Sequence, residues 1–287
     1  MITLKETILK AHAEKRAIGH FNFSNLETFK AIVASAQATA QPVILGLSEG
    51  ERNFIGPKTA RALVDNAKQE FGLDLYLNAD HVHSLESAKV ALEAGFDSIT
   101  FDRGEVSLEQ NIIETKALID LVRASYPNVL IEGELGFIGH SSEVLTAVPE
   151  GAAVSGLSLT TTVDAKRLVD ETGIDFLAPA VGNIHGIVST GEPKLDLDRI
   201  KDISLAIGRP LVLHGASGNS IADLEGAIKA GVSIIHLNTE IRLAWRDNLL
   251  KDLKALSNEV ASYKLSAGAV EAMTALITAK IKLFARQ

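Results

Sequence analysis

Cysteine is absent from the 287-residue chain. Its absence excludes disulfides, thiolate metal sites and a cysteine nucleophile together. No strongly basic run occurs either: 28 Lys and Arg stand against 36 Asp and Glu, a net charge of −8. That balance argues against nucleic acid and anionic membrane as main partners. An anionic metabolite still fits, provided a local site receives it. The first residues, MITLKETILKAHAEKR, alternate charged and apolar positions and lack the apolar core of a secretory leader. No apolar stretch of membrane-spanning length occurs without charge. The cytoplasm is therefore the expected compartment.

The composition, 46% apolar and 22% charged, is that of an ordinary globular protein and excludes disorder. At this length an average domain size suggests two domains, but an α/β barrel takes up the whole chain as one. With no low-complexity tract and no interdomain linker, a single domain over 1–287 is expected. Eight short β-rich runs recur, at 17–23, 42–48, 75–81, 98–102, 128–135, 176–182, 210–215 and 233–239. Their near-continuous apolar character suits a parallel sheet covered on both faces. Amphipathic segments separate them. Two of these, 84–95 and 220–231, open at a serine and stop at a glycine, as helices do. Eight strands each followed by a helix describe a (β/α)8 TIM barrel, with a doubly wound sheet as the alternative. Residues 137–160, rich in Gly, Ser and Thr, form an extended loop placed to act as an active-site lid. A helical extension near 265–285 carries more apolar surface than one end of a barrel needs, and predicts a homodimer or homotetramer.

Polar residues gather at the ends of these strands. Asn78, Asp80 and His81 end the third, Asp102 the fourth, and Glu132 and Glu134 the fifth; His185 follows the sixth and His214 ends the seventh. In a barrel these ends converge on one mouth, where active sites are built. A lone histidine at a strand end is more often a hydrogen-bonded structural residue. Three histidines and several acids at one mouth instead suggest a metal with three imidazole ligands and an open position. Imidazole and carboxylate favour zinc, though iron, cobalt and manganese accept the same donors. His83 makes an H-x-H pair with His81 but sits past the predicted strand end. His12 reads as a surface helix residue and His20 as a strand or loop residue. Two glycine-rich turns, Gly182–Gly186 and His214–Gly218, follow strands, and Asn238 and Thr239 open the next helix. Turns of this kind let backbone N–H groups approach a phosphate.

NADHVHS at 78–84, Asp102, the E-x-E-L-G at 132–136, GNIHG at 182–186 and LVLHGASG at 211–218 together resemble the class II, metal-dependent ketose-bisphosphate aldolases. These are the fructose-bisphosphate and tagatose-bisphosphate enzymes, and the resemblance covers nearly the whole chain. It implies reversible aldol cleavage of a phosphorylated ketose to dihydroxyacetone phosphate and an aldehyde. By resemblance, His81, His185 and His214 hold a catalytic Zn2+. Asp80 is the acid/base at the C4 oxygen, and Asp102 and Glu134 match acids tied to a second divalent or monovalent cation. Gly186, Gly215, Ala216, Ser217, Asn238 and Thr239 match the C1-phosphate region, and Asn22, Asn25 and Ser48 match polar residues of the same mouth.

The chain also departs from that pattern. Ser142 stands where the family places a loop glutamate, which leaves Glu143 to serve as the second base. The usual lysine after the sixth-strand His-Gly is missing, and Ser189 and Thr190 occupy its region. His236 replaces an asparagine, and Arg103 follows Asp102 where a small residue is common. Arg103 and His236 are read either as drift or as contacts to an altered anionic ligand. Two rivals stay open: a metal-dependent epimerase or isomerase on the same barrel, and a non-catalytic metal- or sugar-phosphate-binding derivative.

Overall fold

Each apolar run forms a parallel strand because both of its faces find cover. In the computed structural model, which describes residues 2–139, 143–154, 156–189 and 194–287, these are β1 (Ile18–Asn22), β2 (Val43–Leu47), β3 (Leu75–Val82), β4 (Ser98–Phe101), β5 (Leu130–Leu135), β6 (Phe176–Pro179), β7 (Leu211–Leu213) and β8 (Val232–His236). Each pairs with its neighbours in the chain, and β1 closes on β8 with His20 opposite His236. Closure establishes the (β/α)8 barrel and excludes the doubly wound sheet. The strand ends agree with the sequence to within a few residues. β8 stops at His236, short of the expected 239, because Thr239 already begins a helix. Ser84 and Ser220 cap the helices Leu85–Ala94 and Ile221–Ala230 as expected, accepting from the N–H of Ser87 and Asp223.

The period-two pattern sorts each strand between two environments. Phe21, Leu45, Leu77, Ile99, Ile131, Leu177, Leu213 and Ile235 point outward into one continuous core with the helices. The alternate positions fill the barrel in layers. At the bottom Ile18, Ile44, Tyr76, Leu130, Phe176, Val212 and Ile234 pack together. The helix Leu4–Ala13 seals them from below with Leu4, Ile8 and Ala11. Two residues further along the strands the interior turns polar: His20, Asn78, Thr100, Glu132, His214 and His236 are all buried there. Two further still lie Asn22, Ser48, Asp80, Asp102 and Glu134, at the mouth. The barrel is thus apolar at its base and increasingly polar towards the C-terminal ends of its strands.

Two features depart from expectation. Within the extended loop, Val144–Leu145 pairs in parallel with Ile187–Val188, so the loops after β5 and β6 are tied together. The last helix, Ala267–Ala285, buries its apolar stripe within the chain: Met273, Ile277, Ile281 and Phe284 pack on the helix Leu26–Thr39 and on β1. Its apolar surface is consumed internally, and this corrects the argument for an oligomer built on it. Among the described residues no helix is long and apolar enough to cross a membrane.

Candidate active site

Adjacent residues on a regular strand face opposite ways, so Asp80 and His81 should not share the mouth. They do because the β3–β4 register shifts between Ala79 and Val82, and His81 takes a left-handed conformation with φ 47°. This bulge turns the imidazole back inward. A non-glycine residue held there costs on the order of 1 kcal/mol, a strain that persists where a site uses it.

Three imidazoles meet at this point. The His81 ring centroid is 4.8 Å from that of His185 and 5.0 Å from that of His214, and their ligand nitrogens lie within 4.8 Å of one another. Two of the three rings are aimed by carboxylates. His81 Nδ1 is 2.9 Å from Asp102 Oδ2 and 3.4 Å from Glu134 Oε2, and His214 Nε2 is 2.6 Å from Glu132 Oε1. The opposite nitrogens are left for another partner. His185 Nε2 and His214 Nδ1 are buried with no hydrogen-bond partner among the described residues. Buried, unpaired, converging imidazole nitrogens backed by carboxylates fit a divalent cation, and zinc suits the donor set.

The charges in this cluster bear on one another. Burial works to raise the Asp80 carboxyl, but the His81 and His236 rings outweigh it and hold the group well below the usual carboxylate range. Burial works to lower His81, yet Asp80, Asp102 and Glu134 keep it well above the ordinary imidazole value. His214 is raised in the same way, against its burial, by Glu132. His185 is pushed well below by burial and by the other two imidazoles. Glu134 is pushed up to about 8 by burial and by the charge of Asp102.

A cavity of about 600 Å3 opens above the cluster, lined among others by Asn22, Ser48, Asp80, His81, Glu143, His185, Gly186, Gly215, Ser217, His236, Asn238, Thr239 and Arg242. Gly215 has φ 60°, and a Cβ there would stand 2.1 Å from the Ile184 carbonyl oxygen. The helix Thr239–Ala255 starts at the rim with no side-chain cap on its first turn. Its N–H groups and partial positive charge suit a phosphate. Asn22 donates from Nδ2 to Asp80 Oδ2 and to Glu51 Oε2, both at 2.9 Å.

Several expected site residues do other work. Asn25 spends its side-chain oxygen capping the helix Leu26–Thr39, accepting from the Thr28 N–H at 2.8 Å, and lines a neighbouring groove instead of the cavity. The Ala216 N–H already donates to the His236 carbonyl, so it is not offered to a phosphate. Arg103 forms an ion pair with Glu114 and donates to the His83 carbonyl. Its guanidinium is engaged with the helix after β4. His236 keeps its polar atoms among Asp80 and Glu132 in the barrel interior. His83 lines the cavity with Nδ1 3.3 Å from the Asp102 carbonyl. Asp102 engages both oxygens, one with His81 and one with the Gly104 N–H. Glu143 lines the cavity, and its carbonyl accepts from the Ile187 N–H where the two loops pair. Ser142 and Thr190 lie outside the described residues.

Sequence reasoning passed over four participants. The sequence places Glu132 at its strand end and His20 on a strand or loop, with no role for either. Glu51 completes a capping box with Ser48 and pairs with Arg242 at 2.6 Å. The S-x-x-E spacing at 48–51 was the available signal for that box. Arg52 is buried and donates to the Leu47 and Asp80 carbonyls at 2.6 and 2.8 Å, which fixes the backbone under the acid.

The family described as fructose-bisphosphate aldolase class-II matches residues 2–287. A probable fructose-bisphosphate aldolase of Bacillus subtilis is 32% identical over 99% of this chain and 97% of its own. A sulfofructosephosphate aldolase of Alkalicoccus urumqiensis is 31% identical over 99% and 96%. Among solved structures, a putative fructose-1,6-bisphosphate aldolase of Coccidioides immitis superposes with a TM-score of 0.83 at 27% identity, covering 98% of this chain and 95% of that one. A match that runs the length of the chain, on a barrel whose mouth gathers three imidazoles beside a carboxylate, is one of kind as well as of shape: the chain belongs to the class II fructose-bisphosphate aldolase family and is an aldolase, a carbon–carbon lyase.

Proposed function

We propose that the chain catalyses zinc-dependent, reversible aldol cleavage of a phosphorylated ketose of the fructose- or tagatose-1,6-bisphosphate type, releasing dihydroxyacetone phosphate and an aldehyde in the cytoplasm. The observation that carries this reading is the pair of unpartnered buried nitrogens, His185 Nε2 and His214 Nδ1, facing the same space as His81 and adjoining Asp80. A zinc ion held by His81, His185 and His214 would supply Lewis-acid stabilisation of the negative charge that develops on the ketose oxygens during cleavage. Asp102 and Glu134 are the acids available for a second cation.

The chain's own residues account for the proton traffic. Asp80, ionised by its surroundings, takes the C4 hydroxyl proton in cleavage and returns it in condensation. Asn22 holds one of its oxygens meanwhile. Glu143 exchanges the C3 proton from the loop that roofs the cavity. Gly186, Gly215, Ser217 and the start of the helix Thr239–Ala255 receive the C1 phosphate. Arg242, Ser48 and Asn22 also line the cavity, and the aldehyde half is assigned to them. A second reading concerns that half alone. The sulfofructosephosphate aldolase relative favours a different anionic tail, a sulfonate in place of the second phosphate. Exposed Leu250, Leu253, Leu256 and Val260 keep the homo-oligomer within the proposal, and light scattering decides it.

The test is a zinc-loaded cleavage assay on fructose-1,6-bisphosphate, tagatose-1,6-bisphosphate, fructose 1-phosphate and the 6-sulfonate analogue, with dihydroxyacetone phosphate release coupled to NADH oxidation. Turnover is expected to stop with chelator and to fall about 100- to 10,000-fold in Asp80→Ala. No turnover on any of the four, with zinc verified in the protein, would overturn the reading.

A further inference from the structure

His236 stands in the middle of a column of three imidazoles. Its ring lies 3.5 Å from that of His20 with the planes 3° apart, and 3.9 Å from that of His214 at 26°. With both faces covered and the side chain buried, the ring cannot turn. Only its edge nitrogens can interact. Nε2 is 4.0 Å from Glu132 Oε2, and Nδ1 is 3.4 Å from Asp80 Oδ1. That oxygen is the one the rest of the site leaves alone: Asn22 holds Oδ2, while Oδ1 is buried and has no hydrogen-bond partner among the described residues. The next nitrogen, His81 Nε2, is 3.8 Å away and belongs to the imidazole cluster. A small rotation of the carboxylate brings Oδ1 within hydrogen-bond range of the His236 Nδ1–H.

The column is braced by neighbouring strands. His20 on β1 pairs directly with His236 on β8. On β2, Gly46 makes room for the His20 ring, since a Cβ at that position would stand 2.1 Å from His20 Cε1. His20 Nε2 is anchored in turn on Asn78 Oδ1 at 3.1 Å. We infer that His236, braced by His20 in the space Gly46 leaves, is a positioning residue for Asp80: it donates to Oδ1 while Asn22 donates to Oδ2, and the two together fix the plane of the acid/base. This rests on the proposed role of Asp80 and goes beyond it. A positioned carboxylate gains rate because its geometry is set before the proton moves.

The test separates the half-reaction that uses Asp80 from the one that does not. Exchange of a hydrogen on the hydroxymethyl carbon of dihydroxyacetone phosphate for solvent deuterium needs proton removal and return at carbon, without protonation of the aldehyde oxygen. In zinc-loaded His236→Phe, which keeps an aromatic ring but loses the donor, cleavage kcat is expected to fall about 10- to 100-fold, the loss of one hydrogen bond to a charged group. KM, zinc stoichiometry and the rate of deuterium exchange are expected to stay within about twofold of the unaltered protein. His236→Gln, which restores a donor, should recover part of the loss. Cleavage and exchange falling together would overturn the inference, because His236 would then act through His214. Unchanged cleavage would overturn it equally. An arm independent of turnover is 15N NMR of the imidazoles: His236 is expected as the Nδ1–H tautomer, with a resonance that moves in Asp80→Ala. A resonance that does not move refutes the contact. A chain with neither cleavage nor exchange defeats the substrate reading, and the NMR result still decides this one.

Discussion

Glu132 is 1% exposed and lines no part of the cavity, so whatever it contributes to chemistry passes through the imidazoles beside it, His214 at 2.6 Å first and His236 at 4.0 Å second. Its carboxylate aims the His214 imidazole and raises the basicity of the far nitrogen. Replacing it by Gln keeps the shape and an acceptor but removes the charge. Zinc affinity, measured by competition with a chromophoric chelator, should weaken about 10- to 100-fold while far-UV circular dichroism is unchanged. Unaltered affinity would mean that Glu132 is only a buried partner satisfying a structural histidine. The same pair marks the limit of what the residues disclose by themselves. Three histidines and a row of acids at strand ends were legible, because strand ends share one mouth whatever the details. The pairing of Glu132 with His214, 82 residues apart, was not, because local pattern carries no register. Arg103 is a similar case: beside Asp102 it reads either as drift or as an anion contact, and only the fold brings it to Glu114 on the following helix.

At the level of the element, apolar runs and serine-to-glycine segments disclosed the strands and several helices, since both patterns follow from backbone geometry. Departures from regularity were hidden. The bulge that turns His81 inward occurs in a run that reads as plain strand. The N-terminal helix reads only as alternating charged and apolar residues until Leu4, Ile8 and Ala11 are seen against the barrel floor. Gly215 shows what such a departure costs to change. With φ 60° and the Ile184 carbonyl where a Cβ would stand, Gly215→Ala forces the loop bearing His185 to shift. A loss of about 1–3 kcal/mol in unfolding free energy is expected for a strained non-glycine residue of this kind. Zinc affinity should fall as well, because His185 moves relative to β7. Urea unfolding and zinc titration check the two effects. Lost stability with intact zinc binding would show that the loop adjusts without disturbing His185.

For the molecule as a whole, the polar interior of the barrel links metal, protons and stability. In the metal-free protein, His81 and His214 hold protons above the ordinary imidazole value, and Glu134 stays protonated up to about 8. Each of these pKa values is raised by folding. Their contribution to stability is complete below the unfolded values of roughly 6.5 for His and 4.3 for Glu. It is lost as pH rises through the higher folded values. Zinc binding requires neutral imidazoles and favours ionised carboxylate, so it must displace these protons. Apparent zinc affinity therefore rises with pH from 6 to 8. The stabilisation that zinc gives at fixed free concentration rises with it, since a ligand bound only by the native state stabilises as the logarithm of its concentration over Kd. His185 does not oppose this trend, being neutral throughout that range. The gap in Tm between zinc-loaded and chelated protein should widen steadily from pH 6 to pH 8 in scanning calorimetry. A constant or narrowing gap would show that His81 and His214 hold no exchangeable protons in the metal-free state, and that the carboxylates around them aim the rings without charging them.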